Sequence, residues 1–102
     1  FKDMDVVFRF KVNIVELLTF YEFGDIDLFD YQLNLIRKEF KEILEKEVYE
    51  REKTFIKLVA KMEVLTKKEL QQKVNEFIQL PTSSESSEND IVDYNEWLKS
   101  KL

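Results

Sequence analysis

The chain has 102 residues, 44% of them hydrophobic and 36% charged, with a net charge of −5. It holds no Cys, no His and a single Gly. Those counts exclude thiol nucleophiles, disulfides, imidazole general bases, the usual zinc sites and a glycine-rich phosphate cradle. The acidic balance argues against nucleic acid, whose phosphates need a basic footprint.

Length points to one domain over residues 1–102. Nine Phe, four Tyr and one Trp supply ample apolar mass for a core. The longest apolar runs fall far short of the ~20 residues of a membrane span, so no membrane partner is expected. No secretory signal is visible, a cytoplasmic location is the expectation, and Phe1 reads as a trimmed or processed end. Ser-Lys chemistry and paired carboxylates remain formally open. The acidic pairs Asp25/Asp27 and Glu85/Glu88, however, read as helix caps and solvated loop. The chain is expected not to be an enzyme and to need no cofactor or metal.

In chain order, Val6, Phe8, Phe10, Val12 and Ile14 alternate with Arg9, Lys11 and Asn13, which suits a strand over 6–14. A helical count places Val7, Phe10, Ile14, Leu17, Leu18 and Tyr21 on one side, and helix is preferred. Gly24 or Asp27 marks the start of a second helix, whose stripe is Leu33, Ile36, Phe40, Ile43, Leu44 and Val48. The charged run Glu45 to Lys53 is either an exposed linker helix or a change of direction. Phe55, Leu58, Val59, Met62 and Leu65 form the next helical stripe, with a strand over 55–64 as the alternative. Lys53, Lys57 and Lys61, four residues apart, read as a solvated face rather than a binding stripe.

Thr66 and Glu69 have the spacing of a capping box, opening a helix from about Lys67 to Gln79 that buries Leu70, Val74, Phe77 and Ile78. Pro81 ends it. Residues 81–90 form a flexible Ser/Glu-rich loop in which Thr82 and Ser87 have acids three residues on, the spacing of acidophilic phosphorylation sites. Asn89 or Asp90 can cap a last helix with Val92, Tyr94, Trp97 and Leu98.

Two stretches repeat. Glu16-Leu17-Leu18-Thr19 matches Glu63-Val64-Leu65-Thr66, and Asp27-Leu28-Phe29-Asp30-Tyr31 echoes Asp90-Ile91-Val92-Asp93-Tyr94. The units would be 6–50 and 53–102. Both turn regions also resemble the back half of an EF-hand: Gly24-Asp25-Ile26-Asp27-Leu28-Phe29-Asp30, and Val92, Asp93, Glu96 and Trp97 in the second copy. The first loop would place Thr19, Tyr21 and Phe23 at its leading ligand positions, and two aromatics cannot ligate a hard cation. In the second, Glu85, Ser87, Asn89 and Asp93 offer oxygens but Asp90 replaces the turn Gly, so a solvated acidic loop is expected there, not a calcium site.

The resemblance implies a mostly α fold of two diverged helix–loop–helix motifs packed around one core. It also implies a metal-independent light-chain or adaptor role, in which an apolar groove grips a peptide or amphipathic helix. The candidate groove residues are Phe10, Ile14, Leu18, Phe40, Phe55, Met62, Phe77 and Trp97. A helical homo-oligomer, built on one continuous helix from about Leu28 to Leu65, is the main alternative. A further one is a viral or parasite protein of other role, since abundant Ile, Lys, Asn and Phe suit an AT-rich genome.

Overall fold

The computed structural model describes residues 2–81 and 90–102, with side chains from Val6 onward. Helix α1 (Lys2–Phe23) is the longest element. It stops at Gly24, whose φ of 73° lies in the left-handed region that L side chains avoid. The N–H of Gly24 donates to the Tyr21 carbonyl (3.1 Å) and that of Asp25 to the Phe20 carbonyl (3.2 Å). These are the two bonds of a Schellman stop. Asp25 then serves the next helix: its Oδ1 accepts from the Leu28 N–H at 3.1 Å and caps α2 (Ile26–Glu39). Asp27, suggested as the start by the sequence, instead lies in the first turn of α2. Gly24 and Asp25 alone join α1 to α2, so the first unit is a tight helical hairpin. Thr19, Tyr21 and Phe23, the leading ligand positions of the first EF-hand-like loop, are inside α1.

Helix α2 breaks at Phe40 (φ −112°, ψ 27°), and a single turn, α3 (Lys41–Leu44), follows. Lys46 is extended (ψ 135°), and a 3-10 turn at Glu47–Tyr49 leads into α4 (Glu50–Lys61). The charged run is thus a change of direction. A continuous helix from Leu28 to Leu65 does not form, because burying both Phe40 and Tyr49 requires the chain to fold back between them. Among the described residues there is no strand. Segments 6–14 and 55–64 are helical through Lys61 and then turn, which settles the α+β alternative in favour of helix.

The capping box forms in full: Thr66 Oγ1 accepts from the Glu69 N–H (3.1 Å), while Glu69 Oε1 accepts from the Thr66 N–H (2.9 Å). It opens α5 (Lys67–Ile78). The final helix, α6 (Tyr94–Lys99), is capped by Asp93 rather than Asp90, through a 3.1 Å bond from the Glu96 N–H. Asn89, the phosphorylation candidates Thr82 and Ser87, and most of the expected flexible loop lie outside the described residues.

One core joins all of these elements. Phe10 packs on Phe40 and Tyr49, with ring centroids 5.5 and 6.2 Å apart. Phe55 meets Phe77, Tyr94 and Trp97 at 5.7, 4.5 and 5.8 Å. Helices α1 and α2 pack along each other, and α6 rests on α5. The radius of gyration, 13.2 Å, matches the ~13 Å of a packed chain this long.

Candidate functional site

The structure brings together the eight residues expected to line a groove, but inside the core. Phe10, Ile14, Leu18, Phe40, Phe55, Met62 and Phe77 are buried, and Trp97 is half-buried. These side chains pack mainly on one another, and of the eight only Trp97 is more than marginally exposed. Helical periodicity identifies the buried face of each helix; it does not tell a closed core from an open groove.

The exposed apolar residues lie elsewhere. Phe23 is 79% exposed, Ile26 62% and Val64 82%, at the α1–α2 turn and just beyond α4. Between them runs a groove of about 200 Å³ walled by Phe20, Tyr21, Phe29, Val59 and Ala60. Ile26 and Val64 form its lip, and Asp25, Asp30 and Glu63 are its charged rim. Tyr21 anchors the wall: its ring meets Phe29 at 5.9 Å and Trp97 at 5.6 Å. Partial burial pushes its phenol pKa upward, and the carboxylates of Glu63 and Glu22 push it the same way. The groove is therefore apolar in its floor and negative at its edge.

A second groove, about 300 Å³, lies between α4 and α5. Leu58, Leu65, Phe77 and Leu80 supply its apolar surface, and Lys57, Lys61 and Lys73 stand around it with Glu76. At 100° per residue along α4, Val59 and Ala60 of the first groove face away from Leu58 and Lys61 of the second.

The third feature is a buried polar cluster. Lys11 is 1% exposed and Glu52 0%. Lys11 Nζ donates to Glu52 Oε2 at 2.8 Å and also pairs with Asp90. Tyr94 has its pKa driven far up. Burial is the main cause, and the carboxylates of Asp90 and Glu52 add to it. Arg51 donates to Asn95 Oδ1 at 2.7 Å and stacks over the Phe77 and Tyr94 rings at 4.7 and 5.5 Å. Glu52 Oε1 and Arg51 Nε find no hydrogen-bond partner among the described residues. The cluster ties α1 and α4 to the segment leading into α6.

Sequence reasoning missed these ions, although a signal was present. Lys11 interrupts the stripe Val7, Ile14, Leu18, and Glu52 interrupts Val48, Phe55, Val59. Two opposite charges, each set in an apolar stripe, is the pattern of a buried pair. Of the calcium-loop oxygens, Glu85, Ser87 and Asn89 lie outside the described residues, and Asp93 is engaged as a helix cap. Among the described residues no three acidic side chains are grouped to hold a metal.

The fold defines a mostly α, multi-helix domain with no helix long and apolar enough to cross a membrane among the described residues. No family model, no curated protein and no solved structure matches the chain.

Proposed function

We propose that this chain is a non-catalytic protein–protein interaction module. Its docking surface is the acid-rimmed apolar groove between the α1–α2 turn and the end of α4, rather than the buried aromatic set. The observation that carries the reading is the pairing of exposed Ile26 and Val64 across an apolar cleft. Leaving such side chains in water is unfavourable, and covering them yields about 25 cal/mol per Å² of apolar area. Asp25, Asp30 and Glu63 on the rim select the occupant's charge. The partner is an amphipathic helix or peptide with apolar residues at i, i+3, i+4 and i+7 and Lys or Arg beside them. This binding mode agrees with the adaptor role implied by the EF-hand resemblance, and it needs no metal.

Trp97 gives a built-in reporter, because its ring touches Tyr21 in the groove wall. Titration with a basic amphipathic peptide should change Trp97 emission saturably, and the affinity should fall as salt rises. Ile26→Asp with Val64→Asp should weaken binding by about tenfold or more. Binding equal in wild type and double variant would overturn the proposal.

A further inference from the structure

Charge is segregated along this chain more sharply than its net value suggests. Residues 12–36 contain Glu16, Glu22, Asp25, Asp27 and Asp30 with no Lys or Arg. Residues 53–73 contain six Lys against Glu63 and Glu69. The fold turns this segregation into two surfaces. The acidic stretch forms the α1–α2 hairpin, whose tip carries Phe23, 79% exposed, beside Asp25 and Asp27. Glu22, also at the tip, is engaged by Lys101. The basic stretch forms α4 and the start of α5, where Lys57, Lys61 and Lys73 surround the second groove.

None of those three lysines makes a salt bridge or side-chain hydrogen bond to the described residues. A knob of one apolar ring with acids beside it and a groove of apolar floor with three ammonium groups against one carboxylate, Glu76, around it are complementary in polarity and sign. A groove of about 300 Å³ has room for one aromatic side chain. Both surfaces belong to one chain, but the grooves occupy opposite faces of α4. The hairpin walls the first groove, so its tip meets the second only on another molecule.

We infer that the groove between α4 and α5 receives the Phe23 tip of a second copy of this chain. The aromatic ring supplies the apolar anchor and the facing charges set orientation and encounter rate. The contact shares Asp25 with the rim of the acid-rimmed groove but takes its anchor from Phe23 and its cations from the α4–α5 lysines, not from Ile26 and Val64. Its failure would leave the proposed partner groove standing.

The test is the mass in solution by sedimentation, from dilute protein up to about 1 mM. The average mass should rise above that of a single chain at about 0.05 M salt and fall back toward it at about 0.5 M, where charges are screened. Phe23→Asp removes the knob and keeps the groove; Lys57→Glu with Lys61→Glu does the converse. Phe23, Lys57 and Lys61 are exposed, so both variants should keep the wild-type far-ultraviolet circular dichroism. Each alone should self-associate about tenfold or more weakly than wild type. Mixed, they should form a one-to-one heterodimer through the one intact knob and the one intact groove. A wild type that stays a single chain throughout would overturn the inference. So would variants that associate as wild type does, or a mixture that yields no heterodimer. A groove that binds a synthetic acidic-apolar peptide while the wild-type chain stays single would also overturn the second-copy assignment.

Discussion

Replacing Lys11 by Met keeps most of the side chain's length and removes its charge. At 2.8 Å and an effective dielectric near 20, the gross attraction of Lys11 for Glu52 is about 6 kcal/mol. Desolvating two ions costs several kcal/mol each, so the pair's net worth is far smaller than its attraction. Breaking it is another matter. Lys11→Met leaves Glu52, 0% exposed, as a buried carboxylate facing Asp90 with their shared cation gone. The expected loss is about 3–5 kcal/mol, a large part of the ~5–15 kcal/mol that holds a domain together. Equilibrium unfolding in urea should show a midpoint lower by about 2 M or more. Lys11→Met combined with Glu52→Leu removes both charges and should recover most of that loss. A single variant within about 1 kcal/mol of wild type, or a double variant no better than the single, would refute the claim that this pair is buried and coupled.

Gly24→Ala should cost about 1 kcal/mol in thermal or chemical denaturation. No atom crowds an added Cβ there, so the penalty comes from the left-handed backbone alone. Thr66→Ala should cost about 1 kcal/mol by removing one half of the capping box. The Thr66 backbone and hydroxyl hold Glu69 below its usual carboxylate pKa. The stabilisation linked to Glu69 is therefore present at neutral pH and lost as pH falls through the acid range. Burial raises the folded pKa of Tyr94 above its ordinary 10.0, so above about pH 10 the unfolded chain sheds protons that the folded chain keeps. Stability should then fall by about 1.4 kcal/mol per pH unit from this residue. Unfolding curves from about pH 10 to about pH 12 should show that contribution, and Tyr94→Phe should remove it, leaving the contribution of Tyr21. Ile26→Asp and Val64→Asp should leave stability within about 0.5 kcal/mol of wild type, because both sites are exposed.

Much of the fold was legible because local chemistry and tertiary packing agree. The Thr66–Glu69 spacing specifies a cap that forms as written, and Gly24 stands where a helix must end. The stripes Leu33, Ile36, Phe40 and Phe55, Val59, Met62 face the core. The strand alternation over 6–14 was ambiguous because Phe8 is an exposed apolar residue and Lys11 a buried charge, each reversing the pattern its position implies. Asp90 was a plausible cap by residue type, but the buried Lys11 draws its carboxylate away and leaves the cap to Asp93. The candidate site was less legible. Phe20, Tyr21, Phe29, Val59 and Ala60 converge only because α4 folds back past the hairpin, and no local pattern encodes that approach. The segregation of acids to residues 12–36 and lysines to 53–73 was readable from the chain alone, and it bears directly on both grooves.

Docking of another protein in the proposed groove between the α1–α2 turn and the end of α4 is tested by affinity capture from the native source with wild type and with Ile26→Asp/Val64→Asp side by side, in the presence of chelator. A partner held by wild type and lost from the double variant is the predicted result. A partner retained equally by both, or released from wild type by the chelator, would contradict it.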